Sequence, residues 1–429
     1  MPDARPAGGP SPLLPLAYLM WAAAALPAAA SGVAWFAPEL AGHYYQPPVL
    51  ALTHTVTLGW ITLAIMGASY QLVPVVLERP IWSERLARWQ LAVLVCAVAG
   101  MVAHFHLGAW PGLAAAAGLL ATGIAMHLVN VALSLRGFSR WTLTSRLVAL
   151  GYGGLALTTL FGLTLVANRV WPVLPSRLFF PALHAHAQLA LLGWVTPLIF
   201  GVAARVYPMF LLAPEPGAWT ARVQLVGLAG GVPAIVLGLL GVPGLLAAGA
   251  LAVAAAAVAH VAWVIAMVRA RRRPGLDWGL RFALTGSAFL FPAIALGLGL
   301  ATGRLGGPRA AFAYAVVVLG GWVSLTIAGM MLKIVPFLVW YRAYSPLAGH
   351  EAVPTLAQLS WPRAEALAWA LLTAGMAVLA AAMFAGDPSW IRAGGVAVAL
   401  GATAFAGALV RLLGHLRVRR PVTVEAHAR

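Results

Sequence analysis

The chain has 429 residues, 62% of them hydrophobic and only 9% charged, with a mean hydropathy of +0.90. No water-soluble domain has this balance, so the sequence reads as an integral membrane protein. The formal charge of +17 does not point to nucleic acid, because the bases gather in alternate loops, as membrane topology requires.

Twelve apolar stretches follow one another, each long enough to cross a bilayer. They run over 13–37, 48–77, 87–107, 111–135, 147–168, 178–211, 222–241, 244–268, 279–301, 309–341, 364–386 and 391–415. Arg79, Arg85 and Arg88 follow stretch 2, and Arg136, Arg140 and Arg146 follow stretch 4. Arg269, Arg271, Arg272 and Arg273 follow stretch 8, and Arg417, Arg419 and Arg420 follow stretch 12. The opposite loops carry only Arg169, Arg177, Arg304, Arg309 and Arg392, which predicts that both termini are cytoplasmic in a bacterial inner membrane. The N-terminal "LPAAASG" imitates a cleavage site, but the leading segment has the single base Arg5. The charge pattern fits twelve spans, so this stretch is expected to remain as a span. The one cysteine, Cys96, is expected in packing, and it excludes an internal disulfide and a Cys-x-x-Cys-His attachment.

Three stretches repeat one another: "GWITLAIMGASYQLVP" from Gly59, "GWVTPLIFGVAARVYP" from Gly193 and "GWVSLTIAGMMLKIVP" from Gly321. Each has a hydroxyl after the tryptophan (Thr62, Thr196, Ser324), then a glycine, a long polar residue (Gln71, Arg205, Lys333) and a proline, all in the same columns. They fall on stretches 2, 6 and 10. The chain is therefore expected to be all-α, one transmembrane domain of three four-helix units over roughly 13–146, 147–280 and 281–429. At about 100° per residue the shared columns lie on one helix face, which would meet the centre of a ring of three. The glycines allow close helix contact and the prolines kink the helices. Arg205 and Lys333 either snorkel to headgroups or line an inner polar cavity.

The histidines carry the chemistry. His54, His184, His186, His104 and His106 are all expected near the outer face, with His43 in the first outer loop. His127 and His260 lie deeper and read as imidazoles bonded to backbone carbonyls, while His350, His415 and His427 are at or near the cytoplasmic side. Measured from the repeat tryptophan, His54 points to about +120°, His184 to about +80° and His186 to about −80°. In one sense of the ring His54 and His186 oppose each other and His184 faces a second site; in the other sense no pair forms. Two opposed imidazoles with no carboxylate or thiolate nearby suit haem iron, whereas zinc wants about four ligands. Copper is an alternative at a second site built from His184 with His104 or His106; the "HFH" at 104–106 also reads as a headgroup contact. Arg169 and Arg177 lie before the His-x-His helix, where they either pair with haem propionates or are solvated. Tyr44, Tyr45, Tyr207 and Trp194 either flank a cofactor or anchor the interface.

"THTVTLGWITLAIMGASYQLVPVV" and "HAHAQLALLGW" resemble the second and the His-x-His helices of the catalytic subunit of haem–copper oxidases and nitric oxide reductases. The size is also similar to that of the NnrS-like membrane haem–copper proteins tied to nitric oxide stress. The resemblance implies an oxidase subunit I-like fold with His54 and His186 on a low-spin haem and His184 on a second haem. It implies non-covalent haem, a redox partner protein, and nitric oxide or oxygen as the gas. The chain departs from the pattern: its His-x-His helix is the sixth rather than the tenth, and the segments that build the oxidase copper site are missing.

The function expected is therefore a haem-binding membrane protein for electron transfer or for binding or reducing a diatomic gas. The alternatives are a cofactor-free transporter working through Arg205 and Lys333, and a haem or copper chaperone or assembly subunit.

Overall fold

The computed structural model describes residues 11–77, 80–139, 141–214 and 217–417. Arg5, Arg79, Arg140, Arg419, Arg420 and His427 lie outside the described residues. The described chain is helical, with twelve helices long and apolar enough to cross a membrane. Spans 1 to 6 are Leu13–Trp35, Pro47–Pro74, Glu84–Leu107, Trp110–Ser134, Leu143–Val170 and Ser176–Leu211. Spans 7 to 12 are Ala218–Leu239, Leu245–Ala270, Trp278–Ala301, Gly307–Ala343, Pro362–Ala385 and Pro388–Arg417. Apolar periodicity locates every one of them; the starts of spans 5 and 7 differ most from expectation, in span 5 because Thr142 caps the helix ahead of its apolar run. Ser83, Thr142 and Asp277 accept from the backbone N–H of Leu86, Ser145 and Leu280, satisfying donors that a helix start leaves orphaned. Gly108, at φ +63°, makes the tight turn between spans 3 and 4.

Neighbouring helices recur in a fixed order. In each successive set of four, the first span packs on the second, the second on the third and the third on the fourth. The fourth then packs on the first span of the next set, and span 12 returns to span 1. Spans 2, 6 and 10 are the three most buried. They meet directly: Trp60 Nε1 donates to Ser324 Oγ at 2.9 Å, and the Phe200 and Trp322 rings lie 6.0 Å apart.

The sequence repeat has a common backbone shape. Each copy opens into a wide π-type turn, over Thr55–Thr62, Leu189–Val195 and Val316–Ser324. The repeated hydroxyl closes it, bonding to the carbonyl five residues back: Thr62 to Thr57 (2.7 Å), Thr196 to Leu191 (2.8 Å) and Ser324 to Leu319 (2.6 Å). A carbonyl displaced from the i→i−4 ladder is thus satisfied where no water is at hand.

The packing of the repeat glycines differs from expectation. The repeat glycines were expected to face a common centre; they face the first span of their own set instead. A Cβ at Gly67 would lie 2.5 Å from Tyr18 Cβ, at Gly201 3.0 Å from Leu147 Cβ, and at Gly329 2.4 Å from the Gly279 carbonyl oxygen. Their expected role in close helix contact agrees with these distances.

Two further expectations are corrected, and the repeat cations take separate places. His127 and His260 bond to side chains rather than backbone carbonyls: His127 Nδ1 to the Tyr70 hydroxyl (3.1 Å) and His260 Nδ1 to Gln224 Oε1 (3.3 Å). Tyr70 also bonds to Gln90, so both sites join a histidine and a glutamine on adjacent helices. Cys96 is exposed on the outside of span 3 rather than packed. Lys333 Nζ pairs with Asp277 Oδ2 at 2.6 Å, and Arg273 joins the same carboxylate at 3.2 Å, while Arg205 is exposed. Neither Arg205 nor Lys333 lines either of the two cavities described below, and the exposure of Arg205 fits the other alternative, a side chain that reaches the headgroups.

Gly329→Val should destabilise the bundle by about 1–3 kcal/mol, because the added methyls meet span 9 backbone. Gly118, with open space around its Cα, is the control. Thermal unfolding in detergent should show a lowered midpoint for Gly329→Val and an unchanged one for Gly118→Val.

Candidate functional site

The upper half of the bundle, where spans 2, 6 and 10 begin, encloses a cavity of about 690 Å³. That is the size range of pockets for drug-sized and cofactor ligands, about 300–1,000 Å³. Its wall is drawn from spans 2 to 6 on one side and spans 6 to 10 on the other, so it wraps around span 6. The wall is overwhelmingly apolar, and Arg169 is its only Asp, Glu, Lys or Arg side chain.

His54 and His186 both line this cavity. His54 Nδ1 donates to the Leu50 carbonyl at 2.7 Å, and His186 Nδ1 donates to the Thr158 carbonyl at 3.0 Å. A carbonyl only accepts, so each Nδ1 carries the proton and each Nε2 keeps its lone pair. This is the arrangement that sets a metal-binding histidine: one ring nitrogen anchored, the other free to ligate. Phe105 stacks on the His54 ring at 4.5 Å and 24°, fixing its plane. Gly162 makes room for His186, since a Cβ there would lie 3.0 Å from His186 Cε1.

His184 lines the same cavity, but its Nε2 is bonded to the Tyr44 hydroxyl at 2.9 Å. Tyr44 comes from the loop between spans 1 and 2 and stacks on His43 at 4.3 Å. Burial pushes the Tyr44 phenol above its ordinary pKa, so it stays protonated and able to donate.

The flanking residues divide. Arg169 sits at the rim with its guanidinium 5.0, 4.6 and 5.1 Å from the ring centres of Tyr45, Trp110 and Phe179. Among the described residues it has no carboxylate within ion-pair distance. Arg177 is exposed on the single turn Ser176–Leu178 and does not line the cavity. His104 bonds to the Gly100 carbonyl at 2.7 Å and packs against Gly112, and His106 is exposed beside Phe36. From "HFH" the fold brings the phenylalanine to the cavity and leaves both histidines outside it. No group of three or more metal-ligating His, Cys, Asp or Glu side chains occurs among the described residues. Tyr45 and Trp194 line the cavity, while Tyr207 lines a separate apolar pocket of about 110 Å³ below it.

Two cavity residues, Gln188 and Tyr314, were not singled out from the sequence, although the repeat carries their signal. The position six before the repeat tryptophan is His54, Gln188 and Val316 on spans 2, 6 and 10. The position eight before it is Leu52, His186 and Tyr314. Reading across neighbouring spans, the equivalent pairs are His54 with His186, Gln188 with Tyr314, and Val316 with Leu52. Gln188 and Tyr314 both line the cavity. The repeat tryptophans differ in parallel: Trp60 is bonded to Ser324, whereas Trp194 Nε1 is buried without a partner beside the cavity. No known protein family matches the chain, and no curated protein matches it significantly.

Replacing Tyr44 by Phe frees His184 Nε2. Diethyl pyrocarbonate modification, mapped by peptide mass spectrometry, should rise several-fold at His184 and stay constant at the exposed His106. Equal modification of His184 in both proteins would contradict the hydrogen bond as its protection.

Proposed function

We propose that this protein is a haem-binding electron-transfer protein of the membrane, with His54 and His186 as axial ligands. The observation that carries the reading is the matched pair of anchored imidazoles, each with a lone pair on Nε2, lining one apolar cavity. The donor set fits haem better than a bare metal ion: two imidazoles and no carboxylate or thiolate would leave zinc or copper underligated, whereas haem needs only axial ligands. With a single cysteine, attachment through a Cys-x-x-Cys-His segment is impossible, so a non-covalent, b-type haem is the form proposed.

The residues divide the work. Haem supplies a one-electron couple when bound. His54 and His186 would hold it through their Nε2 atoms, and a haem held by two imidazoles would favour electron exchange over gas binding. Phe105 holds the His54 ring plane, and Gly162 leaves His186 its place. Arg169, which has no carboxylate partner among the described residues, would pair with a propionate at the rim. The apolar wall excludes water and tunes the potential.

The recurring order of neighbours, the three π turns and the three central spans support an oxidase subunit I-like, pseudo-threefold arrangement of three units. The proposed placement is the bacterial inner membrane with both termini cytoplasmic, on the arginine distribution. Nitric oxide or oxygen binding would require a second haem on His184 after release of Tyr44. A copper site using His104 or His106 gains no support from their positions. Transport through Arg205 and Lys333 is likewise less favoured, because one faces outward and the other is ion-paired.

Purified protein, expressed with ample haem, should show a sharp reduced α-band and a b-type pyridine haemochrome. The band should fall below about a tenth of wild type in His54→Ala and in His186→Ala, and be unchanged in His104→Ala. A colourless wild type would overturn the reading. Gly162→Val should lower haem content several-fold by displacing His186, measured against protein of equal monodispersity.

A further inference from the structure

We propose that the side of the cavity between spans 6 and 10 binds a quinone or its hydroquinone. This deepens the electron-transfer reading, on which its role rests, by naming a small-molecule partner beside the haem slot.

The cavity extends well beyond the His54–His186 side. Past span 6 its wall continues along Ile235, Leu246, Ala250, Val253, Ile294 and Leu298. Here the positions equivalent to the histidine pair hold Gln188 on span 6 and Tyr314 on span 10. Both line the cavity. Gln188 Oε1 is buried with no hydrogen-bond partner, so this side holds an acceptor that lacks a donor. The Tyr314 hydroxyl adds a donor, and His184 lies one helical turn before Gln188 on the same face.

Charge selects the ligand class. The one permanent cation in the wall, Arg169, belongs to span 5 and so to the other side. A second haem, or a fatty acid, would bring carboxylates with nothing to pair them. A neutral, membrane-soluble molecule with a flat ring avoids that cost. A hydroquinone hydroxyl supplies the donor that Gln188 Oε1 lacks, and a quinone oxygen accepts from Tyr314. The apolar wall suits the ring and an isoprenoid tail. Gly297 helps to shape the slot, since a Cβ there would lie 3.3 Å from the Tyr314 ring.

The test is equilibrium binding of a radiolabelled short-tailed benzoquinone to the purified full chain in detergent, with haem content measured in the same samples. Saturable binding is expected, weakened roughly tenfold in Gln188→Leu and in Tyr314→Phe. Ala250→Trp, which fills the slot without removing a polar group, should abolish it. Size-exclusion profiles identify variants that fail to fold, and Ala250→Trp and Tyr314→Phe are independent of any such failure in Gln188→Leu. No saturable binding to the wild type, or equal affinity in all folded variants, would overturn the proposal. Quinone bound by colourless protein would leave this site standing and sink the haem reading; haem present without quinone binding would do the reverse.

Discussion

The central helices depend on one hydrogen bond repeated three times, from a hydroxyl to the carbonyl five residues behind it. Inside a bilayer a helix cannot leave a backbone group to water, so a wide turn persists only where another group takes up the displaced carbonyl. Thr62, Thr196 and Ser324 do this in spans 2, 6 and 10. The turn lies beside the repeat tryptophan and directly follows His54 on span 2, so it sets where the histidines above it point. The same turns let the repeat glycines pack against spans 1, 5 and 9, which ties each central helix to the outer ones.

From that shared scaffold the three neighbouring pairs of central helices diverge. Where spans 10 and 2 meet, Trp60 reaches Ser324 and the positions equivalent to the histidines are Val316 and Leu52. Where span 2 faces span 6, two anchored imidazoles line a cavity and Trp194 has no acceptor. Where span 6 faces span 10, glutamine and tyrosine replace the histidines. One geometry thus carries an apolar pair of positions, a pair of anchored imidazoles and a neutral polar pair. Function, on this view, comes from which residues occupy two positions, six and eight before a tryptophan.

Much of this was legible in the sequence because it follows from local periodicity. The spans are apolar runs of bilayer length, and the repeat shows in ungapped columns. His54 and His186 stood out as polar groups in apolar helices, and both reach the cavity. What the sequence concealed was non-local or broke helical regularity. The π turns lie between the histidines and the repeat tryptophans and shift the angles computed there at 3.6 residues per turn, while the glycines pack on helices that no spacing within one span reveals. The partners of His127, His260 and Lys333 come from other helices, and no spacing on one helix predicts Tyr70, Gln224 or Asp277 as the group that meets them. "HFH" misled for a similar reason: neighbouring residues on a helix face different ways, and the cavity took Phe105. Gln188 and Tyr314 were visible in principle, since they occupy the repeat columns of the histidine pair, but only a site already placed on spans 2 and 6 gives those columns meaning.

The most direct test of the account is low-temperature electron paramagnetic resonance of the oxidised, haem-supplied protein. Bis-imidazole ligation predicts a low-spin ferric signal that disappears in both His54→Ala and His186→Ala and survives in His184→Ala. A high-spin signal alone in the wild type, or a low-spin signal that survives loss of His54 or of His186, would contradict the pairing on which the account stands.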